Sequence, residues 1–290
     1  MKTLHKKAIS AAAVALLSGL ACSSVFAEEA AEAPEASPIT ANVTVVNDYR
    51  YRGISQSNFK PAIQGGFDYA HESGFYIGNW NSSISWVGDN AYINTGKSVS
   101  APIEMDFYAG VKKEWLGEGF ASDLGILQYY YPTSGLTTTA NMVNPNTTEL
   151  YVAQNFTFGP VTGFGKISYA ISTLFGNVNS SGFYYPDLTL NYDTGVWSLA
   201  LNGHIGYQYV AGNQASQGSY SSILSNNTLF SYTDWKLGVT KDFLGGGGLS
   251  AAIAYVGTNA VTVQGAYSYV SPQGKNLGKS TGLISLTKTF

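Results

Sequence analysis

Residues 193–209 read DTGVWSLALNGHIGYQY, a tight-turn signal followed by an alternating run. In an extended chain, Trp197, Leu199, Leu201, Ile205, Tyr207 and Tyr209 share one face, and Ser198, Asn202, His204 and Gln208 share the other. Segment 103–115 repeats the pattern, with Ile103, Met105, Phe107, Val111 and Trp115 set against Glu104, Asp106, Lys112 and Glu114. A soluble sandwich would bury the apolar face under a second sheet. In a membrane barrel that face meets lipid, and the polar face lines the interior.

Five short turn signals punctuate the chain: HESG (71–74), LGEG (116–119), GPVTG (159–163), DTG (193–195) and LGGGG (244–248). They separate twelve expected strands, at 42–56, 62–70, 75–86, 103–115, 121–131, 148–158, 161–175, 185–193, 196–209, 231–243, 248–257 and 280–290. With this count all five turns fall at one end, together with both chain ends. The longer connections, at 57–61, 87–102, 132–147, 176–184, 210–230 and 258–279, fall at the other. Short periplasmic turns and long outer loops characterise bacterial outer-membrane barrels. The fold class is therefore all-β: a transmembrane antiparallel up-and-down β-barrel with both termini periplasmic. In the last loop, 260–270 (AVTVQGAYSYV) alternates too, as a surface hairpin or as a segment folded into the mouth. A thirteenth membrane strand there would leave the C-terminus outside.

The N-terminus fits this destination. Residues 1–27 carry Lys2, Lys6 and Lys7, an apolar run from Ala11 to Leu20, and Val25-Phe26-Ala27, the anatomy of a secretory signal peptide. Gly19 stands where a lipid-anchored Cys22 would need an aliphatic residue, so Cys22 is expected to leave with the signal. Residues 28–40 are a flexible, acidic periplasmic lead-in, and 41–290 the barrel. Without the three signal lysines, 12 basic residues face 18 acidic ones, which argues against nucleic-acid binding. The composition of 21 Tyr, 14 Phe and 33 Gly with 11% charged residues suits strands that cross lipid.

Aromatic residues fall at strand ends, as at lipid interfaces. Phe75, Trp115, Phe158, Trp197, Phe243 and Phe290 mark the expected periplasmic rim. Tyr49, Tyr51, Trp86, Tyr129, Tyr131, Tyr207, Tyr209 and Trp235 mark the outer one, while Trp80 falls mid-strand and fits neither. The terminal Phe290 suits the signal read by barrel-assembly machinery, although Lys288 interrupts the apolar alternation beside it.

The segment NDYRYRGISQ (47–56), followed by Pro61-Ala62 and GGFDY (65–69), resembles a proteobacterial family of small porin-like outer-membrane barrels (TorF-like, Gcw_chp-like). The likeness extends to FYIGNWNSSISW (75–86), EMDFYAGVKKEW (104–115) and the C-terminal SLTKTF. It implies a small barrel and a channel, with no catalytic residues and no cofactor.

The first strand places Thr44, Val46, Asp48, Arg50 and Arg52 on the inward face, with Val43, Val45, Tyr49 and Tyr51 outward. Two successive inward arginines form a cationic ladder. Asp68, Glu104, Asp106, Lys112, Glu114, Lys166, Asp187, His204, Asp234 and Lys236 complete the expected pore lining. The function this suggests is passive diffusion of small hydrophilic solutes or ions across the outer membrane of a Gram-negative bacterium. Expected partners are outer-membrane lipid and lipopolysaccharide, barrel-assembly machinery, the solute itself and a possible homo-oligomer. The alternative is a closed structural or adhesin-like barrel whose inner charges pair off. A hydrolase is a distant third: His204 with Asp187 or Asp193 and Ser198 could be assembled on paper, His71 lies in a turn, and no compact motif supports either. With no mature cysteine and no spaced histidine pair, neither a metal nor a cofactor is expected.

Overall fold

A computed structural model describes residues 37–243, 248–260 and 262–290. The signal peptide, residues 28–36 of the lead-in and residues 244–247 of the turn lie outside these residues.

The chain forms β1 (Ile39–Val46), then a small hairpin of β2 (Arg50–Tyr51) and β3 (Ile54–Ser55). There follow β4 (Ala62–Ala70), β5 (Phe75–Ser83), β6 (Ile103–Lys113), β7 (Phe120–Tyr130), β8 (Thr147–Phe158), β9 (Val161–Ala170), β10 (Tyr184–Asp193), β11 (Leu199–Gln208), β12 (Tyr232–Asp242) and β13 (Leu249–Thr258). A second hairpin, β14 (Thr262–Val263) and β15 (Ala266–Tyr267), precedes β16 (Thr281–Thr289). Twelve of these strands close into one antiparallel barrel, each beside its sequence neighbour, with β1 pairing β16 to shut the wall. Closure leaves no unpaired sheet edge. The short turns and both ends of the barrel chain share one rim. The other rim carries the long loops, including a helix at Trp86–Thr95 and a short one at Asn226–Phe230.

Alternation decides what each face meets. Ile63, Phe67, Ile77, Leu124, Ile126, Leu188, Ile205, Leu237, Ile253, Ile284 and Leu286 point outward and are exposed. Their inward neighbours Gln64, Asp68, Asp123, Asp187, Thr240, Ser285 and Thr287 are buried. An apolar exterior around a polar interior is the inverse of a soluble barrel, and it needs lipid to cover it. Among the described residues no helix is long and apolar enough to cross a membrane, so the strands do the crossing.

The six aromatic residues assigned to the short-turn rim are all exposed there. At the long-loop rim the phase needs correction. Tyr49, Tyr129 and Tyr131 are buried inside the barrel, and Tyr51 and Trp86 pack against that interior cluster. Tyr207 faces outward as expected and is joined there by Tyr130, Tyr169 and Tyr184, with Tyr184 stacked on Tyr209 at 4.7 Å. Leu124 and Ile126 point out of β7, so the same parity sends Tyr130 outward and its two neighbours in. Trp80, which suited neither rim, is a lumenal residue packed edge-on against Tyr49 at 5.5 Å.

Two further strands are shorter than expected. The one drawn to residue 175 stops at Ala170, and the one drawn from 196 starts at Leu199, leaving Trp197 and Ser198 in a turn with φ of 55° and 51°. Glu114 likewise leaves the lumen. It lies in the turn after β6, where its Oε1 accepts the backbone N–H of Gly119.

Candidate functional site

The largest departure from the expected pattern lies in the first strand. Ladder pairing with β4 and β16 ends at Val46, Asn47 stays exposed and hydrogen-bonded to Ile284, and the buried run from Asp48 turns into the barrel. Arg52 and Gly53, with φ of 45° and 76°, form a two-residue turn between β2 and β3. Consecutive positive φ values suit a tight hairpin, and Gly53 is the residue that adopts them most readily. Gly53 also packs against Asp234 of β12 and Thr258 of β13, two to three strands around the wall from β1, where a Cβ would find no room. The hairpin therefore lies within the lumen.

The inward arginines are consequently not a ladder. Arg50 donates from Nε to Asp48 Oδ2 at 2.6 Å, and from Nη1 to the carbonyls of Gly53, Leu277 and Lys279. Asp48 Oδ1 accepts from Ser55 Oγ at 2.6 Å and Ser57 Oγ at 3.2 Å, which stiffens the hairpin from within. Arg52 reaches the opposite wall. Its Nη2 donates to both carboxylate oxygens of Glu149 on β8, at 3.0 and 2.9 Å. Its guanidinium carbon lies 4.7, 4.6 and 4.3 Å from the ring centres of Tyr51, Phe183 and Tyr185. Carboxylate plus aromatic faces make a cage for a cation, and the hairpin fills it.

Aromatic side chains seat the rest of the hairpin. Tyr49 packs on Trp80 and donates to Glu104 Oε1 at 2.6 Å, while Tyr131 donates to Glu104 Oε2 at 2.7 Å. Phe175 meets Tyr51, Trp86, Tyr129 and Tyr131 edge-on. The Gln56 carbonyl accepts the N–H groups of Ser85 and Trp86, tying the hairpin to the start of the 86–95 helix.

Below this layer the interior is polar and reachable. Asp68 accepts from Tyr108, and Asp123 from Tyr76. Lys112 lies opposite Asp123 in register, and Lys166 Nζ stands 3.6 Å from Asp187. His204 contacts Tyr185 and Asp234 through Nε2 and Thr189 through Nδ1, each at 3.0 Å, and Lys236 is its register partner on β12. Side-chain exposure at this level is uneven: 15% for Lys166 and 17% for His204, but 3% for Asp187, against 6% for Arg52 and 1% for Glu149 above. The hairpin fills the long-loop half.

Two inward carboxylates escaped the sequence reading, Asp123 and Glu149. Both alternate with outward Leu124 and Leu150, so the signal was present. Asp106 is also buried inside, its Oδ1 lacking a hydrogen-bond partner. Phe290 closes the seam at the short-turn rim, exchanging backbone hydrogen bonds with Ala41 at 2.8 and 3.3 Å. The hydrolase arrangement does not form: Ser198 sits in the turn before β11, six positions from His204, roughly 20 Å along extended chain. Among the described residues no cluster of three or more His, Cys, Asp or Glu could hold a metal. The 260–270 segment is the surface hairpin β14–β15, docked on the neighbouring loop through Gln264 and Ser221.

A closed antiparallel barrel, apolar outside and charged within, defines the class: a membrane-spanning β-barrel of the outer-membrane kind. Residues 30–290 match the Gcw_chp family, described as bacterial protein of unknown function, and the chain belongs to that family. No curated protein matches the sequence. Among solved structures, the NanC porin aligns over 87% of this chain and 98% of its own, at 9% identity and a TM-score of 0.50. The KdgM porin aligns over the same shares at 5% identity and 0.47. OprD of Pseudomonas aeruginosa covers 89% of this chain and 67% of its own, at 11% identity and 0.39. At 9% identity the likeness to the NanC porin speaks for the barrel fold alone.

Proposed function

We propose that this protein is a porin-like channel of the Gram-negative outer membrane that admits small hydrophilic solutes or ions. Its short-turn rim, with both chain ends, faces the periplasm. The observation that carries this reading is the inserted hairpin: a charged wall continues below it, with Lys166 and His204 partly accessible, and one short segment with its aromatic seat fills the lumen above. A barrel of twelve strands is wider than the eight-stranded barrels that side chains fill. The inserted hairpin occupies the difference. Lipid, lipopolysaccharide and barrel-assembly machinery are the natural partners of such a barrel, with Phe290 at the position an assembly signal would take.

The buried Arg52–Glu149 pair favours a second reading, a permanently closed structural barrel. Single-channel recording of refolded protein in a planar bilayer separates the two, using the intact chain and a variant in which a short Gly-Ser link replaces residues 48–56. A channel gives small, infrequent steps from the intact chain and larger, sustained ones from the variant. Silence from both, with heat-dependent gel mobility confirming folding, refutes the channel.

A further inference from the structure

The cage around Arg52 divides into a wall part and a hairpin part. Glu149 comes from β8, Tyr185 from β10 and Phe183 from the loop just before it; the hairpin contributes the guanidinium and the stacked Tyr51. The wall therefore holds a cation receptor whose present occupant is tethered. Arg50 is anchored differently, to Asp48 in its own hairpin and to carbonyls. Arg52 thus makes the hairpin's one ion pair with the barrel wall among the described residues.

Three further observations bear on the occupant. Arg52 Nη1 is buried without a hydrogen-bond partner, so the cage leaves part of the tethered guanidinium unsatisfied. Arg52, Asn58 and Phe59 all have positive φ, at 45°, 53° and 61°, so the docked segment carries backbone strain at its tip and base. Tyr185 Oη also donates to Asp234 Oδ2 at 2.9 Å, so a carboxylate backs the aromatic wall of the cage.

We propose that Glu149, Phe183 and Tyr185 form a binding site for a guanidinium-bearing solute, which displaces Arg52 and releases the hairpin. This rests on the channel reading above and names the solute class that opens it. A planar guanidinium satisfies both parts of the site, lying on the aromatic faces while donating to the carboxylate. A lysine-like ammonium would lose the stacking.

The test is bilayer recording with L-arginine as probe and L-citrulline, its uncharged isostere, as control. Arginine should raise the open probability of the intact protein, and citrulline should not. Arg52→Gln empties the cage and opens the channel; arginine then enters the site and interrupts the current. In Arg52→Gln/Glu149→Gln the same interruptions need roughly tenfold or more arginine, the cage having lost its charge. Arg52→Lys, which keeps the charge should the glutamine variant fail to fold, should respond to less arginine than wild type. Equal effects of citrulline and arginine overturn the proposal, as does indifference to Glu149→Gln. The channel reading survives that failure if the hairpin-replaced variant conducts. Silence from that variant overturns both.

Discussion

Replacing Trp80 by alanine should unseat the lumenal hairpin while leaving the barrel wall closed. The ring is 3% exposed and meets Tyr49 of the hairpin edge-on, with centres 5.5 Å apart and planes at 62°. A buried tryptophan hides roughly 200 Å², which at about 25 cal/mol/Å² is worth about 5 kcal/mol. Truncation of a core aromatic to alanine costs a comparable 3–5 kcal/mol or so. The backbone ladder through position 80, to Gly66 on β4 and Asp106 on β6, does not depend on the side chain. Most of the loss therefore falls on lumenal packing. If the hairpin bears a third of it, about 1.5 kcal/mol, its displaced population rises roughly tenfold. Limited trypsin digestion with mass spectrometry reads this directly, because Arg50 is buried and Arg52 nearly so, whereas Lys97 on a long loop is exposed. Cleavage after Arg52 should rise about tenfold, with cleavage after Lys97 unchanged, since proteolysis of an opened segment tracks its population. Unchanged cleavage at Arg52 in a folded variant would refute the claim that aromatic packing seats the hairpin.

Four shorter predictions follow from the same geometry. Glu149→Ala leaves Arg52 as a buried unpaired charge and should cost about 3–5 kcal/mol in denaturant unfolding from detergent; Arg52→Leu added to it should restore part of the loss. Ile253→Lys puts a charge midway along β13 on the lipid face, and should lower folding stability in vesicles by about 2–4 kcal/mol; a neutral result would mean that face is not in lipid. At Gly206 a Cβ would overlap the Tyr185 hydroxyl and two ring carbons, so Gly206→Ala should break the Tyr185–Asp234 hydrogen bond and cost about 1–3 kcal/mol in denaturant unfolding, with Tyr185→Phe regaining only part because the ring carbons still clash. Arg50→Ala with Arg52→Ala removes two positive charges from an acid-rich lumen and should shift reversal potentials under a salt gradient toward cation preference; unchanged potentials would count against a conducting path beside the hairpin.

The barrel was legible because its instructions are local. Strict alternation sets the faces, and the short turns set the strand order. The expected count of twelve and the single turn-rich rim both appear in the structure. The hairpin was not legible from alternation alone. Asp48, Arg50 and Arg52 continue the parity of Thr44 and Val46, so a straight strand and a strand folding back read alike. The distinguishing mark is Arg52-Gly53, a residue pair suited to a tight turn, flanked by Tyr51 and Ile54. The aromatic residues misled for a related reason. Tyrosine suits a lipid interface and also suits an interior where its hydroxyl can reach a carboxylate, as Tyr49, Tyr108 and Tyr131 do. Only the parity of the aliphatic neighbours separates the two.

The pairing of β1 with β16 has a consequence for biogenesis. Thr44 and Thr287, hydrogen-bonded through their hydroxyls at 2.8 Å, are 243 positions apart, so the wall closes only when the final strand arrives. Until then β1 and β13 each present an open edge, an invitation to pair with a neighbouring chain. The hairpin follows β1 directly and is made early, so the cylinder is built around a segment already in existence. A chain cut short before Thr281 is thus deprived of more than a strand: it is an unsealed sheet with two adhesive margins, for quality control to clear.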